Sequence, residues 1–300
     1  MQLDKTRIVV RERGIFDTLD LALHVWRVYA WQLLVTTSLV VVPLALINQL
    51  LIGWMVEPFA NEVFSFEKFG AYLRYGWTMM ILVVVEAPLA TALATMFLGK
   101  AVFLERPRIG AIVREVWQFA DRLVWCHLLL RGVLPAILLL VVMGREQSFA
   151  EFDMLLILLF LTLAIRRATA PFLNEIVLLE RNPLWEREPG SMTVRKRSNS
   201  LHTPSTSDLL HRFVISSVYA VFLTFFVVFI CYLVQGVFLG DFSFGTGLLL
   251  YCLPSSMWLV ASFFAVVRYL SYLDLRIRHE GWEVELRMRA EANRLVGATP

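Results

Sequence analysis

Three charged residues lie inside long apolar stretches of this 300-residue chain. Glu86 precedes Pro88 by two positions, and Arg131 and Arg166 lie in two later apolar stretches. At a helical rise of about 1.5 Å per residue, all three fall at a similar depth within a bilayer. An isolated charge at the bilayer centre costs at least about 2.5 to 3.5 kcal/mol. We therefore expect Glu86, Arg131 and Arg166 to meet inside a bundle of helices.

This intramembrane polar layer has two interpretations. It could be a structural ion pair that fixes the register of the helices. It could also line a path for a proton or a substrate, beside the helix breaks that Pro88 and Pro171 predict. In either case, changing Glu86 to Gln would leave an arginine uncompensated in the membrane, which typically costs about 3 to 5 kcal/mol.

The longest polar interruption, residues 166–202, reads RRATAPFLNEIVLLERNPLWEREPGSMTVRKRSNSLH. The prolines, serines and threonines of residues 181–206 predict a loop around a short helix near residues 194–201. It also holds the densest basic cluster of the chain, formed by Arg195, Lys196 and Arg197. These side chains could bind anionic lipid head groups, each being worth about 1 kcal/mol near a membrane surface. Alternatively, they only set the topology and are solvated.

The C-terminal segment YLSYLDLRIRHEGWEVELRMRAEANR is charged and strongly helical in pattern. Acidic and basic residues recur in it at four-residue spacing, which supports a helix. Part of this segment could hold Arg197 and His202 of the central loop. Alternatively, it could form a self-contained, salt-bridged surface helix. The residues that would make the contact are Asp274, Arg276, Arg278 and Glu280.

The remaining residue patterns do not favour catalysis or metal binding. Ser198, Ser200, His202 and Asp208 occur close together, but proximity in a loop does not make a catalytic triad. The five histidines show no HxxxH or HExxH spacing, and the three cysteines show no CxxC spacing. We therefore expect no catalytic residues, no metal site and no cofactor, and we expect that the protein is not an enzyme.

Composition indicates which elements position these residues. Hydrophobic residues make up 58% of the chain, charged residues make up 18%, and the mean hydropathy is +0.65. Soluble proteins average about 25% charged residues. This balance predicts an all-α, polytopic integral membrane protein. The small net charge of +3 argues against nucleic-acid binding. The N-terminal residues lack the pattern of a cleaved signal peptide.

About six apolar stretches are long enough to cross a bilayer, which takes roughly 20 residues. The fourth has only 12 apolar residues before Arg166, so it must continue as a broken helix through Arg167 and Pro171. Amphipathic patterns predict interfacial helices at 14–30 and 107–122. The predicted divisions are 1–30, cytosolic N-terminus and interfacial helix; 31–180, transmembrane helices 1 to 4 with the second interfacial helix; 181–212, cytosolic basic loop; 213–267, transmembrane helices 5 and 6; and 268–300, cytosolic amphipathic helix and tail.

The distribution of basic residues predicts the orientation of the chain. With six spans, the segments on one side hold 22 of the 28 lysine and arginine residues, whereas the loops on the other side hold three. Because basic residues concentrate in cytosolic loops, both termini should face the cytosol. We expect the protein to reside in the bacterial cytoplasmic (inner) membrane.

Two cytosolic stretches, RRATAPFLNEIVLLERNPL with RKRSNSLH and the closing YLDLRIRHEGWEVEL, resemble a bacterial membrane-domain family. That family is similar to the membrane portion of glycerophosphoryl diester phosphodiesterases. The opening Gly14, Asp17, Ala22 and Arg27 extend the resemblance over most of the chain. Because the motifs of the catalytic barrel are absent from this sequence, the resemblance implies a six-span, non-catalytic module. Its cytosolic motif would comprise Arg167, Pro171, Glu175, Glu180, Asn182, Pro183, Arg197, His202, Asp274, Arg276 and Glu280.

These patterns favour a non-enzymatic scaffold or assembly subunit that docks partners at its cytosolic face. The alternative is a permease-like subunit that moves a small or lipidic solute through the layer around Glu86. The expected partners are the lipid bilayer, anionic lipid head groups, and other membrane or envelope proteins.

Overall fold

The computed structural model describes residues 14–56, 66–102, 107–128, 149–186, 190–240, 242 and 245–280. This described part of the chain is 88% helical and contains no strand. The all-α class is therefore confirmed. Of the six predicted spans, the third, at 123–143, lies mostly outside the described residues. Within the described residues, four helical stretches are long and apolar enough to cross a membrane: Ile15–Met55, Phe69–Ala90, Val194–Leu239 and Leu248–His279.

Helix α1 (Ile15–Ile52) joins the predicted interfacial segment to the first predicted span. Its backbone leaves helical geometry once, at Tyr29, where φ is −111° and ψ is 20°. Beyond this kink, Trp31 and Trp54 are both exposed and lie about 35 Å apart along the helix axis. The hydrocarbon core is about 30 Å thick, and tryptophan favours both membrane interfaces. The two indoles thus bracket a length that matches a membrane crossing.

Helices α2 (Phe66–Ala90) and α3 (Ala92–Ala101) are separated by a turn at Thr91. Pro88, inside α2, has no N–H and therefore deprives the carbonyl of Val84 of its usual helical partner. Arg167 supplies a replacement, because its Nη1 donates to the oxygen of Val84 at 2.5 Å. A side chain from a distant helix thus compensates the proline kink, as an apolar environment requires.

Helices α4 (Ile109–Trp117) and α5 (Ala120–Leu128) occupy the region of the second predicted interfacial helix. The single helix predicted at 107–122 is wrong in detail, because a turn at residues 118–119 divides it. The apolar residues of α4 are divided between the protein interior and the surface. Ile112 and Val116 are buried, whereas Val113 and Trp117 are exposed.

Helices α6 (Phe149–Thr169) and α7 (Leu173–Leu178) are separated by a break around Pro171. The sequence predicted this broken helix. Every residue of α7 is buried, including the polar Asn174 and the acidic Glu175. A polar group buried without a partner is costly, so both side chains must find partners in neighbouring helices.

The remaining described helices are α8 (Val194–His202), α9 (Thr206–Leu239) and α10 (Leu253–Glu280). The short helix predicted near residues 194–201 is confirmed by α8. Its N-terminus is capped by Thr193, whose hydroxyl accepts a hydrogen bond from the N–H of Lys196 at 3.3 Å. Few side chains of α9 are buried, so this apolar helix faces outward along most of its length.

Helix α10 lies at the centre of the described helices. It packs against α1, α2, α3 and α9. One buried cluster joins it to α1, α3, α4, α5 and α7, and a second joins it to α1, α2 and α6. The predicted sixth span and the predicted cytosolic helix are continuous in α10 as far as Glu280. Side chains on the C-terminal part of α10 can therefore reach both α7 and α8.

Candidate functional site

One face of α10 carries three polar side chains, Arg268, Tyr272 and Arg276, spaced four residues apart. Residues at this spacing lie above one another on a helix. Two carboxylates face this row, and both come from the segment around α7. Glu175 lies within α7, and Glu180 follows the end of that helix. The row and the two carboxylates bring the predicted cytosolic motif and the last helix together.

The deeper of the two carboxylates is Glu175, which is fully buried. Its Oε1 lies 2.8 Å from Nε of Arg268. The Nη2 of Arg268 also donates to the hydroxyl of Thr95 at 2.9 Å and to that of Thr91 at 3.3 Å. The guanidinium therefore links α10 to both α3 and α7. Removing either charge would leave the other buried without compensation.

Glu180 accepts hydrogen bonds from three different parts of the chain. Arg197 of α8 donates two hydrogen bonds to it, from Nε at 2.6 Å and from Nη2 at 2.9 Å. The hydroxyl of Tyr272 donates at 2.7 Å, and the Nδ2 of Asn182 donates at 3.0 Å. Arg276 adds a longer ionic contact of 3.8 Å. We name these five residues the Glu180 cluster, and it ties α8 to α10.

The Glu180 cluster changes the acidity of its central carboxyl group. Burial alone would raise the pKa of Glu180. The hydrogen bonds from Arg197 and Tyr272 and the charges of Arg197 and Arg276 outweigh burial and hold this pKa below its ordinary value of 4.5. Glu180 is therefore ionised at neutral pH, which suits its contact with two arginines.

His202, at the end of α8, completes the attachment of that helix. Its ring stacks on Phe172 with ring centroids 5.5 Å apart, and its Nε2 lies 3.4 Å from the backbone nitrogen of Phe172. An N–H can only donate, so Nε2 accepts. Nδ1 is then left to donate to the carbonyl oxygen of Ser198, which is 2.7 Å away. The imidazole thus joins the break before α7 to α8.

Asp274 does not take the partner that the sequence suggested. The expected contact with Arg197 is wrong, because Arg197 binds Glu180. Asp274 instead lies 3.0 Å from Arg212 of α9 and 3.2 Å from Arg278. Both arginines also contact Asp208, at 3.0 and 2.9 Å. The reason is helix geometry, since Asp274 points away from the face that carries the Glu180 cluster. The self-contained pairing within the last helix is therefore present as well.

The basic run at 195–197 is not one uniform surface. Arg197 points inward to Glu180, so its guanidinium is not available to a lipid head group in this arrangement. Lys196 lies 2.7 Å from Glu186, and both side chains are about half exposed. Arg195 is exposed. The predicted three-residue site for head groups is therefore reduced to its outer members.

Among the described residues, Glu86 has a partner that the sequence did not predict. Its Oε2 accepts a hydrogen bond from the Nδ2 of Asn48 in α1, at 2.8 Å. Arg166 is exposed, and the neighbouring Arg167 turns inward to the carbonyl of Val84. Consecutive helical residues point about 100° apart, and the sequence alone does not show which one faces the interior. The third member of the predicted layer, Arg131, lies outside the described residues.

The other residues of the predicted motif have simple positions. Pro171 lies in the break between α6 and α7, and the carbonyl of Pro183 accepts from the N–H of Val194 at 3.0 Å. Glu280 ends α10, and its side chain is outside the described part of the chain. Asn174 joins two helices, because its Nδ2 donates to the carbonyl of Pro88 at 2.5 Å and its Oδ1 lies 2.6 Å from Nε2 of His127.

Several functional candidates gave no signal in the sequence. Arg268 marks the end of an apolar stretch, where the sequence indicates only one more basic residue on the cytosolic side. Neutral polar residues are common in membrane helices, so they did not stand out either. Their partners are separated from them by tens of residues and are visible only in the fold. The residues missed in this way are Asn48, Thr91, Thr95, Asn174, Arg212, Arg268 and Tyr272.

This arrangement joins α7, α8 and α10 through charged and hydroxyl groups. The acidic groups at its core are bound by arginines and hydroxyls, and α8 is fixed on the outside. Within the described ranges, no three His, Cys, Asp or Glu residues are grouped to hold a metal ion. No protein-family model, no curated protein and no solved structure matches the chain.

Proposed function

We propose that the chain is a non-enzymatic membrane scaffold or assembly subunit, and that α8 is the surface on which it docks partner proteins. The observation that carries this proposal is the Glu180 cluster. Its centre is a carboxylate that is bound at once by Arg197 of α8 and by Tyr272 and Arg276 of α10. Such a brace holds a surface helix in one position.

Helix α8 needs this support because of its length and composition. It has nine residues, VRKRSNSLH, and isolated helices shorter than about 12 residues are marginal in water. Its inner side buries Val194, Leu201 and His202. Its outer side exposes Arg195, Asn199 and Ser200. The helix is therefore held in place by its buried side chains and presents polar side chains on its outer side. This arrangement suits a docking surface.

The location and orientation belong to the same proposal. The bias of basic residues supports a bacterial cytoplasmic membrane protein of about six spans, with both termini and α8 in the cytosol. The resemblance of the central and closing motifs to the membrane portion of glycerophosphoryl diester phosphodiesterases supports a module without a catalytic domain. A polar cytosolic helix on an apolar bundle agrees with that role.

Site-specific photo-crosslinking in intact membranes tests this function. A photoreactive residue replaces Arg195 or Asn199 on the outer side of α8, and as a matched control it replaces the exposed Gln118 in the turn after α4. We expect one protein adduct of the same mass from both α8 positions and none from the control position. Changing Glu180 to Gln in the same chain should abolish that adduct. Equal adducts from all three positions, or no dependence on Glu180, would exclude α8 as the docking surface.

A second function is favoured by a separate observation. Glu86 is held by an amide, Asn48, close to the kink at Pro88. The oxygens of Val84 and Pro88 at this kink bind Arg167 and Asn174, which flank the break at Pro171. Two interrupted helices with polar groups near their breaks are typical of secondary transporters. A permease-like subunit for a small or lipidic solute is therefore the alternative.

Changing Glu86 to Gln distinguishes the two functions. An amide can still accept from Asn48, so we expect the unfolding free energy to change by only about 1 kcal/mol. If Glu86 were paired with an arginine, the same change would instead cost about 3 to 5 kcal/mol. Complementation of a deletion strain measures activity, with the exposed Glu186→Gln as a control. A scaffold keeps activity in both variants. Loss of activity in a stable Glu86→Gln protein that retains its partners would favour the permease.

A further inference from the structure

Four tryptophans in the described part of the chain are exposed at the end of the helix bundle that carries the Glu180 cluster. Trp117 of α4 is 78% exposed, Trp185 is 69% exposed, and Trp125 of α5 is 44% exposed. The rings of Trp125 and Trp185 meet edge to face, with centroids 6.2 Å apart. Trp31 of α1 is the fourth. Exposed apolar side chains that are grouped into a patch mark an interaction surface.

The elements that carry these indoles are fixed to one another. Glu115 of α4 pairs with Lys100 at the end of α3, and with Arg181 at 2.6 Å. Arg122 of α5 donates to the backbone oxygens of Arg181 and Asn182, at 3.4 and 3.3 Å. The end of α3, α4, α5 and residues 181–185 therefore form one connected surface and not three independent loops.

The position of this surface along the bundle follows from α1. Trp31 and Trp54 bracket a length of about 35 Å along that helix, which matches a membrane crossing. Tyr29, two residues before Trp31, meets Phe97 of α3 with ring centroids 5.6 Å apart. Lys100, which contacts α4, is one turn beyond Phe97. The exposed indoles of α4 and α5 therefore lie at the level of the lipid head groups, where tryptophan is favoured.

Arginine side chains accompany these indoles. Arg114 is exposed one turn before Trp117 on α4. Arg181 is 61% exposed, and its guanidinium lies 6.0 Å from the ring of Phe119. Among the described residues, the acidic groups of this region are Glu115, which is bound by Lys100 and Arg181, Glu186, which pairs with Lys196, and the exposed Asp121. Guanidinium groups bind phosphate oxygens in a bidentate manner, and the local excess of positive charge suits an anionic ligand.

We propose that the indole–arginine face, formed by Trp117, Trp125, Trp185, Arg114 and Arg181, binds phosphate head groups of the adjacent leaflet, with a preference for anionic lipids. Its level in the bundle identifies the occupant, because lipid is the medium that surrounds the protein at the depth of Trp31. The inference is independent of the scaffold function. It also moves the lipid site from the basic run of α8 to the surface of α4 and α5.

Retention of lipids by the purified full-length chain tests this inference. The protein is extracted from nanodiscs of equal parts phosphatidylcholine and phosphatidylglycerol, and the bound lipids are counted by native mass spectrometry. We expect the wild type to retain more phosphatidylglycerol, and the Arg114→Gln, Trp117→Ala double variant to retain several-fold less of it. The matched control is Arg195→Gln, which removes an exposed arginine of the basic run. The inference predicts that this variant retains as much phosphatidylglycerol as the wild type, whereas a head-group site on the basic run predicts a loss. No head-group preference in the wild type, or a loss only in the control, would overturn the inference.

A conservative variant protects the test against misfolding. Trp117→Phe keeps an aromatic side chain at an exposed position, so it should not affect folding. The fluorescence of Trp117 is obtained by subtracting the emission spectrum of this variant from that of the wild type. In nanodiscs of brominated phosphatidylcholine, we expect that emission to be strongly quenched, because bromine quenches indoles that contact acyl chains. Unquenched emission would show that the face does not lie against lipid, and would favour a protein partner there.

Discussion

Glu175 and Arg268 show how single residues determine the stability of this protein. Both charges lie where water has little access, and each is acceptable only because the other is 2.8 Å away. A buried ion pair contributes little net stability, but breaking it is costly since one charge is left behind. The pair therefore acts mainly on specificity, because it requires α7 and α10 to meet in one register.

The first expectation concerns this pair. Changing Glu175 to Gln should lower the unfolding free energy by about 3 to 5 kcal/mol, because Arg268 stays charged and buried. Changing Glu175 to Leu together with Arg268 to Met should be much less harmful. The hydroxyls of Thr91 and Thr95 then still donate to the carbonyls of Ala87 and Thr91 in their own helix, at 2.6 and 3.0 Å. Unfolding in detergent, followed by circular dichroism, measures both. A double variant as unstable as the single one would contradict the pairing.

The second expectation concerns the pH dependence that Glu180 contributes. Its folded pKa lies below the ordinary value of 4.5, because the hydrogen bonds from Arg197 and Tyr272 and the charges of Arg197 and Arg276 outweigh burial. The stabilisation is therefore complete above pH 4.5 and is lost as the pH falls through the folded pKa. The difference in melting temperature between the wild type and Glu180→Gln should be largest near neutral pH and shrink below pH 4.5. The exposed Glu186→Gln serves as the control, since a surface pair contributes little. A difference that is constant with pH would exclude this role for Glu180.

At the scale of helices, the sequence was informative about where elements break and less informative about how they rotate. The break at Pro171 and the short helix near residues 194–201 could be predicted, because proline geometry and the loss of apolar periodicity are local signals. The partner of Glu86 could not, because α6 turns Arg167 inward and leaves Arg166 exposed. Which of the two arginines faces the interior depends on the packing of α6 against α2, and no local sequence pattern indicates that packing. The same reason explains why the sequence does not identify Arg212 as the partner of Asp274.

The third expectation tests the contacts between α9 and α10. A double-mutant cycle with Asp274→Ala and Arg212→Ala should give a clear coupling energy, on the order of 1 kcal/mol or more, since their contact is 3.0 Å and largely buried. The matched cycle with Asp274→Ala and Arg197→Ala should give a coupling near zero. Chemical denaturation in micelles measures both cycles. The opposite result would restore the pairing that the sequence alone suggested.

At the scale of the whole molecule, apolar and polar helices have separate tasks. Helix α9 presents apolar side chains on nearly all sides, as expected of a helix that lipid surrounds, whereas α8 directly before it is polar and braced. Composition predicted this division well. Contact between the central loop and the C-terminal helix is one of the two arrangements that the sequence suggests. The pairs that make it, Glu175 with Arg268 and Glu180 with Tyr272, were not predicted, because each joins segments that lie about 90 residues apart in the chain.

The fourth expectation is the placement of α8 relative to the membrane. In a chain without its three native cysteines, single cysteines replace Ser198 in α8 and the exposed Leu239 at the other end of α9. The bias of basic residues predicts that an impermeant thiol reagent added outside intact cells labels the Leu239→Cys protein and not the Ser198→Cys protein. Both should react after the membrane is permeabilised. Labelling of Ser198→Cys from outside would reverse the orientation.

Partner retention tests the central claim, that a braced α8 docks partners, most directly. The wild type, Glu180→Gln and Glu86→Gln proteins are purified from native membranes under identical conditions, and the co-purifying proteins are quantified by mass spectrometry. The scaffold account predicts a stoichiometric partner with the wild type and with Glu86→Gln, and a loss of at least several-fold with Glu180→Gln. A partner that stays bound to Glu180→Gln, or a wild type that carries a solute and no protein, would contradict the account.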